Sequence, residues 1–403
     1  MTPAERRASG SLATIFAARM LGLFLVLPVF ALEAARYPGG NDPALIGMAM
    51  GIYGLTQGVL QLPYGMASDR FGRKLVIVLG LLVFAAGSFV AAAAADLHWL
   101  IIGRAIQGAG AVSAAVTALL ADQTRDIVRT KAMAMVGASI GLMFAVSLVA
   151  APMLVARIGL HGLFTVTGLL ALFCIAVVVW WTPPAPRQHA HVPRGRLSEV
   201  LGHAALMRLN VGVFVLHAVQ LSMWVVVPSL LVRAGLPKDR HWQVYLPTVL
   251  ASFVVMGGLL FPLERRGYLR AVFLSSIGLV LLVQLGLWAA AHQPGVALMT
   301  GLMFVFFCGF NVLEATQPSL CSRLAPPQAR GTALGVYNTL QSLGLFAGGA
   351  VGGWLYKAVG AGGLFATSAV LMGLWLVVAW PMTAPGSRQT PEEVLADEAE
   401  ATG

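Results

Sequence analysis

A chain of 403 residues that is 58% hydrophobic and only 10% charged, with a mean hydropathy of +0.81, lies outside the range of soluble domains, which hold about 45–50% apolar and about 25% charged residues. Its net charge of +10 would suit nucleic acid, but the placement of those charges described below argues against such a partner. Three cysteines offer no disulfide framework or zinc spacing, and no G-x-x-x-x-G-K-[ST] loop exists to drive an ATP-powered pump.

Twelve apolar runs follow one another, at 12–34, 44–66, 75–95, 98–121, 132–156 and 160–182, then 209–233, 244–263, 271–291, 295–320, 332–357 and 361–382. Each is near the roughly 20 residues that a helix needs to cross a bilayer core. Nearly unbroken runs predict helices, whereas barrel strands alternate apolar and polar over about ten residues. The basic start MTPAERRASG leads into a long run that contains Arg19 and lacks a small-residue cleavage site. It therefore reads as the first span and not as a removed leader.

The longest polar interruption, residues 183–210, splits the runs six and six. The expected organisation is an amino-terminal six-helix bundle (1–182), a linker (183–208), a carboxy-terminal six-helix bundle (209–382) and an acidic, disordered tail (383–403). Within the interruption, LSEVLGHAALMRL predicts a short surface helix. The halves echo each other. Asp69-Arg70-Phe71-Gly72 has a counterpart in Glu264-Arg265-Arg266-Gly267, and residues 121–133 align with 322–334. Such internal duplication is the architecture of many secondary transporters.

If the first run starts in the cytoplasm, eighteen of the 26 Lys and Arg fall in cytoplasmic segments and six outside. That bias orients the chain with both ends inside. It accounts for the basic charge without nucleic acid.

The densest charge cluster is GMASDRFGRK, residues 65–74, between the second and third runs. Gly65 and Gly72 permit a tight turn and close helix approach. An aspartate at the membrane edge can face the positive end of another helix, worth about 0.3–1 kcal/mol. With Gly65, Asp69, Arg70, Gly72, Arg73 and Lys74 in place, the loop resembles the signature of the major facilitator superfamily. Arg104, Gln107 and Gly108 match its second signature, R-x-x-Q-G. The resemblance spans about residues 11–382, and MTPAERRA, GIYGLTQ, RAIQGAGA and FNVLEA resemble the YajR-type, proton-coupled drug-efflux branch.

The resemblance implies an all-α membrane protein with twelve transmembrane helices and both termini cytoplasmic. It implies alternating access and proton-driven export of small hydrophobic or cationic compounds. The protein would act without a cofactor or metal, as a monomer in the bacterial inner membrane, with a small-molecule substrate, protons and the lipid bilayer as partners. An importer or uniporter, or a non-transporting regulatory protein, is the alternative. It also implies that Asp69 meets the start of the eleventh helix near Arg330–Thr332, and that Arg73 meets Asp122, so that the loop latches the halves. Ala67 replaces the family's usual leucine, and AAPMLVA at 150–156 keeps Pro152 without the glycines of the antiporter motif.

Ionisable residues inside spans are functional candidates by default. Arg19, His217 and Glu314 lie about six to eight residues in from the cytoplasmic ends of their runs, and so share one level. Glu314 is the expected proton carrier, tuned by Arg19 and His217, since burial and nearby cations compete to set a carboxyl's titration. A fixed Arg19–Glu314 pair is the structural alternative. Arg104 lies roughly 14 Å from Glu314 along the membrane normal, at the level of Glu33. It would bind a polar or anionic group or brace the fourth helix. Gln107, Tyr53, Gln57, Trp224, Asn311, Tyr337 and Asn338, with Gln61, Gln220 and Gln341, are candidate cavity contacts or interhelical hydrogen bonds. Glycines four apart, at 47/51, 54/58, 137/141 and 344/348/352, predict close helix approach at a sliding seam.

Overall fold

The computed structural model describes residues 1–184, 197–326 and 329–382. The acidic tail and residues 185–196 of the linker lie outside the described residues. All the long elements are helices, and ten among the described residues are long and apolar enough to cross a membrane.

Helix α1 (Pro3–Val26) starts well before the apolar run, because Thr2 and Glu5 form a reciprocal capping box and Pro3 occupies the first turn. Pro28 lacks the N–H that would continue it, and the chain resumes as α2 (Phe30–Ala34). Asp42 caps α3 (Pro43–Phe71), accepting from the Ala44 N–H at 2.9 Å. Gly72, at φ 100°, turns the chain into α4 (Arg73–Ala92). The run at 98–121 is interrupted. Helix α5 (Leu97–Ala109) stops at Gly110, and α6 (Ser113–Asp122) begins after Val112.

Helix α7 (Asp126–Ala176) holds 51 residues, which at about 1.5 Å each would far exceed the ~30 Å bilayer core. It folds back at Gly159 (φ 66°, ψ −176°). The reversal shows in its contacts with α1. Ser139 donates to the Ala13 carbonyl and the Phe144 ring meets Phe24, after which Thr167 donates to Gly22 and Cys174 to Ile15. Short α8 (Leu197–Leu201) covers only the first part of the expected surface helix at 197–209, whose second part belongs to the next long helix. The next element, α9 (Ala204–Arg233), starts five residues earlier than its apolar run, because His203 accepts from the Leu206 N–H and caps it. After α10 (Trp242–Val255), the short α11 (Phe261–Leu263) and a turn at Gly267 lead to α12 (Leu269–Ala290). Helix α13 (Val296–Leu324) precedes α14 (Arg330–Ala379), whose 50 residues break at Gly360 (φ 70°, ψ −175°).

Six glycines among the described residues have positive φ: Gly39, Gly72, Gly159, Gly235, Gly267 and Gly360. They form three pairs, 39/235, 72/267 and 159/360, whose φ values agree within each pair to about ten degrees. The duplication seen in the charged loops therefore extends to the backbone turns.

Helix α3 lies along the first part of α14. A Cβ on Gly47 would sit 2.2 Å from the Gly349 carbonyl, one on Gly51 2.7 Å from Phe346 O, and one on Gly54 2.4 Å from Ser342 O. The glycines of α14 that form this seam are Gly349 and Gly353. Gly344, Gly348 and Gly352 were expected there, but they turn to α9, where their Cβ atoms would meet Phe214, Ala218 and Ser222. Gly137 and Gly141 have nothing within 4 Å of an added Cβ, so they make no close approach.

Candidate functional site

Glu314 sits on α13, His217 on α9 and Gln341 on α14, and the three side chains converge. Glu314 Oε2 is 3.2 Å from His217 Nε2, and Gln341 Nε2 donates to Glu314 Oε1 at 3.1 Å. Gln341 Nε2 is also 2.8 Å from His217 Nε2. His217 Nδ1 lies 2.9 Å from the Val213 carbonyl. A carbonyl only accepts, so Nδ1 carries the hydrogen and Nε2 is the nitrogen that gains or loses a proton. His217 is buried, whereas 40% of the Glu314 side chain is exposed. A proton on this cluster can rest on the carboxyl or on Nε2, one hydrogen-bond length apart.

Arg19 stands elsewhere. Its Nη1 donates to Ser113 Oγ at 2.7 Å and its Nη2 to Tyr53 OH at 2.9 Å, and it lies over the Phe84 ring. Counting along the runs puts it level with Glu314, but its hydrogen bonds go to α3 and α6 and not to Glu314. Arg104 donates to Gln107 Oε1 at 2.6 Å and, at 3.4 Å, to the carbonyls of Ala49 and Met50, above the Tyr53 ring. Gln107 passes the chain of bonds on to Ser88. Arg104 thus braces α5 against α3, while Glu33 is engaged by Arg36 and Lys238.

The remaining cavity candidates divide. Asn311 donates to Ser252 on α10 and Trp224 packs edge-on against Tyr245, both interhelical contacts. Tyr337 is buried with its hydroxyl unpartnered, the Asn338 carbonyl accepts from Ser342, and Gln57 is half-buried. Gln341 ranked only among the possible cavity residues. Its spacing of four from Tyr337, on the face that meets α9, is the signal that marks it.

In the charged loop, Arg73 pairs with Asp69 and with Asp122, the latter at 2.9 Å, and donates to Ser68 Oγ at 2.7 Å. Lys74 donates to the Thr182 carbonyl at 2.5 Å. These contacts tie the ends of α3, α4 and α6 to one another within the amino-terminal helices. Gly65 approaches Ala114 of α6, Gly72 supplies the left-handed turn, and Arg70 lies over the Phe71 ring.

At the opposite end of α3, two ion pairs link the amino-terminal to the carboxy-terminal helices: Lys357 with Asp42 at 2.7 Å, and Lys238 with Glu33. Nothing in the loop residues of the sequence announced them. The Lys357 ammonium, followed by the Ala44 N–H, holds the Asp42 carboxyl below its usual range. A depressed carboxylate stabilises the folded contact above its unfolded value of about 3.9 and loses that contribution as pH falls through the lower folded value. Lys357 is exposed and Asp42 only partly covered, so the pair is worth roughly 0–1 kcal/mol. Acidifying below about pH 4, or salt near 1 M, is expected to lengthen distances between spin labels flanking Asp42 and Lys357. Unchanged distances under both conditions would show that the pair does not hold this end.

The sequence matches the family Major Facilitator Superfamily over residues 12–349. The chain belongs to that family, and is a multi-pass membrane transporter and not an enzyme. It is similar to the inner membrane transport protein YajR of Escherichia coli K12, with 43% identity over 96% of this chain and 85% of that protein. It also resembles multidrug resistance protein MdtH of Aeromonas hydrophila, at 28% identity over 83% of this chain and 82% of the relative. Among solved structures, a bacterial homologue of the human lysosomal transporter Spinster, in an inward-facing and occupied conformation, superposes with a TM-score of 0.73. It shares 14% identity over 94% of this chain and 96% of the other.

Proposed function

We propose that this chain is a proton-driven exporter of small hydrophobic compounds that works by alternating access in the bacterial inner membrane. The cluster of Glu314, His217 and Gln341 carries the reading, because it places a titratable pair inside the helix bundle, where an ionisable group is otherwise too costly to keep. The proposal takes the fold-backs at Gly159 and Gly360 as loops, making twelve crossings in two six-helix halves, 1–182 and 209–382, and it holds both ends to be cytoplasmic and the chain to act as a monomer. Relatives named for multidrug resistance support export. The cationic substrates that the family resemblance also implies suit this chain less well, since Arg19 and Arg104 are both buried among the amino-terminal helices.

In this reading the ion pairs Lys357–Asp42 and Lys238–Glu33 hold the outer end, and the Gly72 loop latches the inner end through Asp69 at the start of α14. Each inward proton releases about 2.3 kcal/mol per 100 mV, enough to shift two states separated by a few kcal/mol. The test is transport in proteoliposomes with an imposed pH gradient, screened across hydrophobic compounds. Expected is gradient-dependent movement of at least one compound together with a counterflow of protons. Neither proton flux nor movement of any compound would overturn the proposal.

A further inference from the structure

Two guanidinium groups lie buried in the amino-terminal helices, neither in an ion pair with a carboxylate among the described residues. Arg19 is 2% exposed and Arg104 8%. The carboxylates among the described ion pairs are spoken for elsewhere: Glu5 by Arg125, Glu33 by Lys238 and Arg36, Asp42 by Lys357, Asp69 and Asp122 by Arg73, and Glu314 by His217. The faces of Phe84 and Tyr53 and the neutral oxygens of Ser113, Tyr53 and Gln107 solvate the two cations but bring no counter-charge. Arg19 Nε has no hydrogen-bond partner among the described residues. Isolated buried charge is expensive in a low-dielectric interior.

The break in the fourth span adds to the same sign. Helix α6 has ten residues and starts in mid-membrane at Ser113, with Val112 giving no side-chain cap. Its first-turn N–H groups lack intrahelical acceptors, and the positive end of the helix dipole lies there. Arg19 Nη1 bonds to that same Ser113, whose residue is only half-buried. Half-helix N-termini of this kind receive anionic groups.

We propose that the transported compound carries an anionic group, a carboxylate or sulfonate, which docks at Ser113 between Arg19 and the start of α6. The apolar body of the compound would lie along α1 toward the half-buried Phe24 and Phe144. Two acids would then be handled on separate walls, the anion by Arg19 and the proton by Glu314. The inference rests on the transport reading above and names its substrate class.

The test uses the full chain in lipid nanodiscs, titrated by calorimetry with naphthalene-2-sulfonate and with a trimethylammonium cation bearing the same ring system. The sulfonate is expected to bind about tenfold or more tighter than the cation. Arg19→Gln is expected to weaken sulfonate binding about tenfold, while Arg19→Lys keeps most of it. Ser113→Asp supplies an internal counter-ion and is expected to abolish sulfonate binding and raise Tm. That variant decides the matter if Arg19→Gln fails to fold. Preference for the cation, binding of neither probe, or sulfonate affinity unchanged in Ser113→Asp would overturn the proposal. Binding is read at equilibrium without a pH gradient. A chain that binds the sulfonate but moves nothing therefore fails the transport reading alone, and one that exchanges protons for the cation fails this inference alone.

Discussion

Glu314→Gln is expected to lower proton-driven transport by about a hundredfold or more, the scale on which a positioned proton carrier contributes, while leaving the protein folded. The amide matches the carboxyl in shape, and its oxygen can still accept from Gln341, so the packing of α13 against α9 and α14 is kept. What it loses is the exchangeable proton. Exchange of substrate across the membrane without a gradient should persist, because that half-reaction needs no titration. His217→Asn is expected to act differently. It removes the second proton site but leaves the carboxyl, so transport should continue with its pH profile displaced and its rate reduced less than in Glu314→Gln. Proton flux followed with a pH-sensitive dye in proteoliposomes separates the two. Unchanged flux in Glu314→Gln would remove this cluster from the mechanism.

The long helices were legible because runs near 20 apolar residues have few other fates, and the reversals near 159 and 360 because those runs pause there. Helix starts were less so. Residues 3–11 are polar enough to look like loop, and 204–208 read as part of a separate surface helix, yet Thr2–Glu5 and His203 cap membrane-spanning helices there. The break at Gly110–Val112 was hidden inside an uninterrupted apolar stretch.

For the site, counting residues along a helix gives depth but not direction around the bundle. His217 and Glu314 met because they share both, and Arg19 shares depth alone. The same ambiguity governs the glycines of α14. Positions four apart define a face, but the sequence does not say which neighbour that face meets. Two such faces interleave, one against α3 and one against α9. The ion pairs at Asp42 and Glu33 join residues more than 200 apart across loops that carry no periodic signal.

Those interleaved faces make opposite predictions for substitutions of equal size. Gly47→Leu places a Cβ 2.2 Å from the Gly349 carbonyl oxygen and 2.7 Å from Gly353 Cα, backbone atoms that cannot swing aside. Helices α3 and α14 must separate, and the Lys357–Asp42 pair one turn away parts with them. The clash falls between the two helix groups and not inside either, so Tm should fall less than for a clash within one group. Transport should fall by about a hundredfold, since one of the two alternating states is lost. A cysteine at Met50, buried at 4% exposure beside the seam, should become reactive to a membrane-impermeant maleimide from the Gly39 side. Gly348→Leu is the counterpart. Its Cβ would lie 2.2 Å from the Ala218 carbonyl, inside the carboxy-terminal helices. There the overpacking costs about 1–3 kcal/mol or more, so Tm should drop and the labelling pattern should not distinguish the two sides. Gly137→Leu, with nothing within 4 Å, is the neutral control. If Gly47→Leu transports normally with the Met50 position still protected, the α3–α14 seam is not where the two groups of helices part, and alternating access must be sought along another contact.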